Sequence, residues 1–251
     1  MAGMRLRVTF DFGEEALLEW GYLNHLRGLI YRAIALHSPR LASFLHDEGF
    51  EWNGKKYKPL TFSLLFPRRK RAGPRGLAVS GAATWFVSSP LPELVEAVAE
   101  GLLSMGVAKI GGERAAVSSV RVVEPPEFGH EALFKTLSPI VASTGEEFEG
   151  KFGKKFLSPD APEFPEALRK NLEGKYAALH RRPPEGEVVF EPIPPFKSRL
   201  FEIEGTKVKC YELTLRARGS PELLRLAYDA GVGERNAQGF GMLGIVRGKG
   251  R

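Results

Sequence analysis

The segment of the chain whose composition is most typical of a ligand-binding loop runs from Gly231 to Gly241. Its sequence, GVGERNAQGFG, contains four glycines. Glycine adopts positive φ angles and lets a ligand approach the backbone closely, and successive amides in such a loop can cradle a phosphate. A dinucleotide-binding GxGxxG motif would follow a strand and open a helix, whereas this segment is predicted to follow a helix, and no Walker-type lysine is present. A helix-to-strand turn with a capping glycine is equally compatible with the spacing.

Basic side chains are concentrated at three places along the chain. The formal net charge is +6 and the sequence pI is about 9.4, a balance that favours a polyanionic partner. One basic cluster alone is typical of a solvated loop, but three clusters, with no acidic run to match the first, point towards nucleic acid. The clusters are Arg68–Arg71 with Arg75; Lys151, Lys154 and Lys155; and Arg181 with Arg182.

Residues that could bind a metal or a cofactor are sparse. Cys210 is the only cysteine, which excludes an intrachain disulfide and a multi-cysteine zinc site, and the five histidines show no HExxH spacing. We therefore expect neither a metal nor another cofactor. No apolar run reaches the roughly 18 residues of a membrane helix, and the N-terminal sequence MAGMRLRVTF lacks the apolar core of a secretory signal. A cytoplasmic location without membrane contact is expected.

The first half of the sequence alternates between strand and helix patterns. Residues 6–12 alternate apolar and polar side chains, as a half-buried strand does, and apolar residues recur with helical spacing over 22–36. Ser38 and Pro39 then open a short second helix. Further strands are predicted at 60–66, 77–87 and 117–123, with a basic loop between the first two and a helix from Ser89 before the third. With the two early helices counted as one unit, this is the order of a ferredoxin-like domain.

The second half of the sequence repeats this order less clearly. A proline-rich stretch, 192–195, argues for an edge strand or a bulge. Pro125 lies in a turn-and-linker signal. The sequence therefore predicts an α+β protein of two tandem ferredoxin-like domains, 1–124 and 125–251, each with a four-stranded antiparallel sheet and two helices. Strands of the second domain are predicted at 132–143, 187–190, 210–218 and 240–246, and helices at 165–180 and from Ser220 to Gly231.

The glycine-rich segment, extended to GVGERNAQGFGML, resembles the signature loop of the RAMP superfamily of CRISPR-associated proteins. Within that superfamily it is most similar to the CRISPR repeat-processing endoribonucleases. The resemblance extends to most of the chain in order and approximate spacing, through GLIYRAI at 28–34, LASFLH at 41–46, KPLTFS at 58–63 and TLSPI at 136–140. It implies two ferredoxin-like domains, with the loop before the last strand of the second. It also implies an endoribonuclease that needs no metal and cuts CRISPR repeat RNA in precursor transcripts.

The resemblance also implies a set of catalytic residues. RNA supplies its own nucleophile, the 2′-hydroxyl, so the enzyme needs a base for that proton, an acid for the leaving 5′-oxygen and a cation for the charged phosphorane. Family members use a tyrosine, a histidine and a lysine, which correspond here to Tyr31, His46 and Lys58. The products would be a 2′,3′-cyclic phosphate and a 5′-hydroxyl.

Several points of this assignment stay open at the level of the sequence. Either Tyr31 or His46 could be the base, with the other as the acid. The stretch Asp47–Tyr57 is longer than the family pattern, so that Lys55 or Lys56 could replace Lys58. A tyrosine beside an apolar helical stripe is also typical of a core edge, and a histidine near a helix end is typical of a cap.

The expected partner is CRISPR repeat RNA, with a CRISPR effector complex as a further candidate, and the chain is expected to act as a monomer or homodimer. A competing hypothesis is a RAMP-type subunit that holds repeat or guide RNA without cutting it. A tandem RRM protein is disfavoured because the Lys/Arg-Gly-Phe/Tyr motif is absent. A metabolic or metal-handling ferredoxin-like domain is disfavoured because no ligand set is present. The candidate RNA-binding residues are Arg68, Arg69, Lys70, Arg71, Lys154, Lys155, Gly233, Arg235, Asn236, Gly239 and Phe240.

Overall fold

A computed structural model describes residues 3–148, 151–203 and 205–246 of the chain. The chain forms two compact units that both mix helices and strands, which confirms the predicted α+β class. The first unit comprises the chain up to Gly49, Lys58–Pro125 and Ala237–Gly239, and the second comprises Phe50–Tyr57, Pro126–Asn236 and the chain from Phe240. The predicted domain division after residue 124 stays a prediction.

Helices and strands are interspersed along the described chain. A π-helical turn, Phe44–Glu48, follows α2, and a short 3₁₀ turn, Asn236–Gln238, lies within the glycine-rich segment. In chain order, the elements are β1 (Met4–Glu19), α1 (Tyr22–His37), α2 (Pro39–Ser43), β2 (Phe50–Trp52), β3 (Lys55–Tyr57), β4 (Thr61–Phe62), β5 (Phe66–Ala72), β6 (Gly76–Ser89), α3 (Pro92–Met105), β7 (Val107–Ile110), β8 (Glu113–Val122), β9 (Glu131–Thr136), β10 (Ser143–Phe148), β11 (Lys151–Phe156), α4 (Glu163–His180), β12 (Val188–Ile203), β13 (Thr206–Gly219), α5 (Pro221–Ala230) and β14 (Leu243–Ile245).

The sheet of the first unit contains the ferredoxin-like strand order. Its strands run β4-β6-β1-β8-β7, and β5 also pairs with β6, so the described sheet has six strands instead of the predicted four. The alternation predicted for β1 is confirmed, since its apolar side chains at positions 6, 8, 10 and 12 are all buried. The helical spacing predicted for α1 is also confirmed, since its buried side includes Leu26, Ile30 and Ala33.

The basic segment Arg68–Arg71 lies in a strand, which corrects the prediction of a loop. It forms most of β5, in antiparallel register with β6, where Arg69 is opposite Ser80 and Arg71 is opposite Ala78. The segment has no alternation of apolar and polar residues because the side chains on both faces of β5 are exposed there. A sequence pattern that depends on one buried face could not indicate this strand.

The second unit has the same strand order, β12-β13-β9-β14. The expectation for the proline-rich stretch is confirmed, because β12 is at the edge of the sheet and its register with β13 shifts between Ile193 and Lys197. The strand predicted at 132–143 is two elements, since β9 ends at Thr136 and β10 begins at Ser143. Pro139 lies between them and has no amide hydrogen for a strand ladder.

A short hairpin of β2 and β3 was not predicted. Its turn is Asn53 and Gly54, with positive φ angles of 47° and 72°, as a two-residue type I′ turn requires. Trp52 is opposite Lys55 across it. The extra length between Asp47 and Tyr57 is therefore a folded hairpin of the second unit, and its Asn-Gly pair was an available signal.

Candidate active site

The rings of Tyr31 and His46 are in contact within the first unit. Their centroids are 5.5 Å apart and their planes meet at 78°, an edge-to-face arrangement. Tyr31 follows the fully buried Ile30 on α1, so its ring lies at the boundary of the apolar core. Two candidate catalytic residues that are distant in sequence thus share one place in the fold.

The π-helical turn places His46 at the surface. Ser38 caps α2 by accepting a hydrogen bond from the amide of Leu41 at 3.3 Å, and the turn then closes with a bond of 2.8 Å from the amide of Gly49 to the carbonyl of Phe44. Leu45 is fully buried and anchors the turn. His46 follows it with 69% of its side chain exposed. It lies in a π-helical turn, a feature frequent at functional sites.

Lys58 completes the group. Its ammonium donates a hydrogen bond to the backbone carbonyl of His46, so all three candidate catalytic residues lie together in the first unit. The alternatives, Lys55 and Lys56, are exposed residues of β3 and belong to the second unit.

The electrostatic surroundings of Tyr31 favour its protonated form. Burial is the main cause that raises the pKa of Tyr31, the negative charge of Asp47 raises it further, and the positive charge of Arg27 opposes both. Asp47 is also the partner of His46, with 2.6 Å between its Oδ1 and the imidazole Nδ1. The site therefore contains a phenol that holds its proton beside an exposed imidazole bonded to a carboxylate.

The other histidine near in sequence has partners of its own. Nε2 of His37 lies 3.1 Å from the hydroxyl of Ser104, and its Nδ1 lies 3.6 Å from Glu100. Both partners are on α3. These contacts give His37 a role in joining α1 to α3.

The basic strand β5 presents several cations to solvent. Arg68, Arg69 and Lys70 are exposed, and no carboxylate lies within ion-pair distance of them among the described residues. Arg71 is 3.5 Å from Glu15. Exposed cations without a carboxylate partner are available to neutralise phosphates.

The second basic cluster differs because its charges are paired. Lys154 lies 2.7 Å from Glu234, and Lys155 lies 3.1 Å from Glu146. Their predicted RNA contacts would compete with these carboxylates. The side chain of Lys151 lies outside the described residues.

The backbone of the glycine-rich segment is used inside the second unit. The amide of Val232 donates to the carbonyl of Gly241 at 3.0 Å, that of Gly241 to Pro139 at 2.8 Å, and that of Glu234 to Val141 at 2.8 Å. Gly241 has a φ of 70°, and a Cβ there would lie 1.9 Å from the oxygen of Val232. These three amides are therefore not free to cradle a phosphate.

Side chains of the glycine-rich segment also stabilise the fold of the segment itself. Asn236 is buried and donates to the carbonyls of Val232 and Phe240, each at 3.0 Å. Phe240 is fully buried, edge-to-face with Phe201 at 5.6 Å, so it cannot stack on a base in this conformation. Gly233 and Gly239 are buried as well, whereas Arg235 is partly exposed. Among the predicted RNA-binding residues of this segment, Arg235 is the one whose side chain is partly accessible to RNA.

A buried lysine under this segment was missed by the sequence reasoning. Lys175 on α4 is 4% exposed, and its ammonium donates to the carbonyls of Gly231 at 2.8 Å and Gly233 at 3.1 Å. Burial lowers its pKa to about 7, against the opposing charge of Glu234. Lys175 continues the helical spacing of the buried Leu168 and Leu172, which was the signal available in the sequence.

Within the described residues, no group of three or more His, Cys, Asp or Glu side chains is arranged to hold a metal ion. No helix in the described part of the chain has the length and apolar character needed to span a bilayer.

Comparison with known proteins identifies the family. Residues 17–121 match the family model for "CRISPR-associated protein Cas6, N-terminal", and residues 123–245 match that for "CRISPR associated protein Cas6, C-terminal". A relative from Pyrococcus furiosus named "CRISPR-associated endoribonuclease Cas6" is 31% identical over 231 residues, which cover 90% of this chain and 83% of the relative. This chain belongs to the Cas6 family of CRISPR-associated endoribonucleases. The family inferred from the glycine-rich segment and the N-terminal stretches is confirmed.

Two other Cas6 proteins extend the comparison over nearly the whole chain. One from Methanocaldococcus jannaschii, named "CRISPR-associated endoribonuclease Cas6 1", is 29% identical over 248 residues, covering 98% of this chain and 94% of the relative. A solved structure described as "CRISPR associated protein Cas6" has a TM-score of 0.83 at 28% identity, covering 98% of this chain and 100% of that one. The tandem ferredoxin-like fold is that of Cas6.

The lowered pKa of Lys175 predicts a specific pH dependence of stability. The pKa of Lys175 is about 7 in the folded protein and 10.5 ordinarily. Between these two pH values, the unfolded chain holds a proton that the folded protein has released. The contribution of Lys175 to the free energy of unfolding therefore rises with pH, by at most about 1.4 kcal/mol per unit, and is least favourable below pH 7. In urea titrations from pH 6 to 10, Lys175→Met should lose this rise. Lys170→Met, an exposed lysine of the same helix, should keep it, and equal slopes for wild type and Lys175→Met would contradict the prediction.

Proposed function

We propose that this Cas6 protein cuts CRISPR repeat RNA in precursor transcripts without a metal, by attack of the 2′-hydroxyl on the adjacent phosphate. The products are a 2′,3′-cyclic phosphate and a 5′-hydroxyl. The observation that carries the proposal is the grouping of Tyr31, His46 and Lys58, through the ring contact of the first two and the bond from Lys58 to the carbonyl of His46. These residue types supply the acid, the base and the cation that the reaction needs.

We assign His46 as the base and Tyr31 as the acid. A phenol acts as a base only after it has lost its proton, and burial raises the pKa of Tyr31 and opposes that loss. A protonated Tyr31 can donate to the leaving 5′-oxygen as the P–O5′ bond breaks. The imidazole of His46 is exposed, and its free ring nitrogen can take the proton from the 2′-hydroxyl.

Lys58 is the proposed stabiliser of the transition state. Its ammonium is a compact charge with three donors, of which one binds the carbonyl of His46. When RNA binds, this ammonium can donate to the non-bridging phosphate oxygens, whose charge increases in the phosphorane. A fixed donor stabilises that charge without reorganising during the reaction.

The exposed side of β5 is the proposed path of the RNA backbone. Arg68, Arg69 and Lys70 supply cations that no described carboxylate neutralises. Arg235 is a further candidate contact, while Lys154 and Lys155 would first have to leave Glu234 and Glu146. Because the contacts are to phosphates, they contribute affinity more than sequence selection.

Cleavage in EDTA tests the proposed reaction directly. Wild-type protein should cut cognate repeat RNA in EDTA and should not cut a copy with one 2′-deoxy nucleotide at the cut site, because that copy lacks the nucleophile. His46→Ala should bind the RNA with nearly wild-type affinity and not cut it, while His37→Ala, the matched control, should cut normally. Binding of cognate repeat RNA without cleavage by the wild type would overturn the proposal in favour of an RNA-holding subunit.

A modified leaving group tests the assignment of acid and base. Tyr31→Phe should slow cleavage of ordinary RNA by about 10²–10⁴-fold, the usual contribution of a general acid. A substrate with sulfur in place of the bridging 5′-oxygen leaves as a thiolate and needs no acid. Single-turnover rates of Tyr31→Phe on that substrate should approach the wild-type rate, and those of His46→Ala should stay low. Rescue of His46→Ala but not of Tyr31→Phe would reverse the two roles.

The role proposed for β5 predicts a change in salt dependence. The logarithm of the RNA association constant falls linearly with the logarithm of salt concentration. Each lost phosphate contact to a single strand makes this slope less steep by about 0.7. In a His46→Ala background that keeps the RNA intact, replacing Arg68, Arg69 and Lys70 by alanine should make the slope less steep by about 2. Arg218→Ala serves as the control because Arg218 is bonded to Glu131 at 2.9 Å. An unchanged slope for the triple variant would remove β5 from the RNA path.

A further inference from the structure

Asp47 makes a direct side-chain contact with one of the residues proposed to do the chemistry. Its Oδ1 lies 2.6 Å from Nδ1 of His46, and 67% and 69% of the two side chains are exposed. We propose, on the basis of the proposed function, that Asp47 is a positioning residue that holds His46 in the tautomer whose Nε2 accepts the proton of the 2′-hydroxyl.

The π-helical turn explains why these two neighbours can meet. In an α-helix, side chains at adjacent positions do not face each other. The wider π turn advances the chain by a smaller angle per residue, and Phe44–Glu48 has this geometry, closed by the bond from Gly49 to Phe44. The side chains of His46 and Asp47 are therefore brought towards the same side of the turn.

The contact has a definite chemical consequence. An ionised carboxylate can only accept hydrogen bonds, so Nδ1 must be the nitrogen that carries hydrogen and Nε2 is left as the acceptor. Free histidine favours the opposite tautomer, in which Nε2 carries the hydrogen and cannot act as a base. Asp47 thus selects the form of His46 that the reaction requires, as orienting carboxylates do for other catalytic histidines.

The proton balance of the step follows from this arrangement. The proton of the 2′-hydroxyl passes to Nε2 as the O2′–P bond forms, and Nδ1 keeps its own hydrogen, bonded to Asp47. The carboxylate stabilises the resulting imidazolium and does not become protonated. Tyr31 gives its proton to O5′ as the P–O5′ bond breaks. The negative charge of Asp47 also supports this role because it raises the pKa of Tyr31, in the same direction as burial.

Kinetics with matched variants are the first test. Asp47→Ala should lower kcat about ten- to a hundredfold, the range for loss of a carboxylate that orients a metal-bound histidine, with the affinity for 2′-deoxy repeat RNA and the thermal midpoint unchanged. Asp47→Asn keeps an acceptor oxygen and should fall between Asp47→Ala and the wild type. Glu48→Gln removes the same charge from the next residue of the turn and should cleave at the wild-type rate. Wild-type kcat in Asp47→Ala, or an equal loss in Glu48→Gln, would overturn the proposal.

The tautomer itself is the second test, and a purely structural role for Asp47 would not change it. In protein with ¹⁵N-labelled histidine, long-range ¹H–¹⁵N correlations distinguish the two tautomers, and the His46→Ala spectrum identifies the His46 signals among the five histidines. We expect hydrogen on Nδ1 in the wild type and on Nε2 in Asp47→Ala. Hydrogen on Nε2 in the wild type would overturn the positioning role. If the tautomer changes as expected but the wild type does not cut repeat RNA, the proposed function fails and the positioning of His46 stands.

Discussion

The arrangement of the candidate active site depends on two buried aliphatic side chains. Ile30 and Leu45 are both fully buried, and each directly precedes a proposed catalytic residue, Tyr31 or His46. A buried side chain in a close-packed core has little freedom, so the next residue on a helical turn is directed to a fixed place at the core boundary. Apolar packing beneath the site thus fixes where the two rings start from the core. The hydrogen bonds from Lys58 to the carbonyl of His46 and between His46 and Asp47 then complete the arrangement.

The same packing makes the two rings chemically different. Tyr31 lies against the core, where burial disfavours the phenolate, while His46 extends into solvent and bonds to Asp47. Separate environments for two adjacent titratable groups are how one site supplies an acid and a base at the same pH. The order of burial along each turn, with an aliphatic residue inside and a reactive residue at the edge, is the main cause of that difference, and the charges of Arg27 and Asp47 modify it.

The sequence predicted those elements whose signals are local. The period of α1, the capping residues Ser38 and Ser220 and the alternation in β1 depend only on neighbours along the chain, and the structure has them. The sequence pattern could not predict β5, where both faces are polar. It could not predict the burial of Lys175 either, since the partners of Lys175 lie 56 and 58 residues further along the chain. The assignment of Tyr31, His46 and Lys58 came from a family resemblance, because periodicity alone gives no distance between residues on separate turns.

The glycine-rich segment shows why a motif that identifies a family need not contain its chemistry. Its amides are bonded to Gly241, Pro139 and Val141, and two of its carbonyls converge on the ammonium of Lys175. A buried ammonium is costly unless acceptors surround it, and close backbone turns with positive φ angles provide them, which requires glycine. The unusual composition of the segment is therefore explained by the buried Lys175 and by tight packing. Those backbone groups are occupied, whereas the side chains of β5 are exposed to solvent.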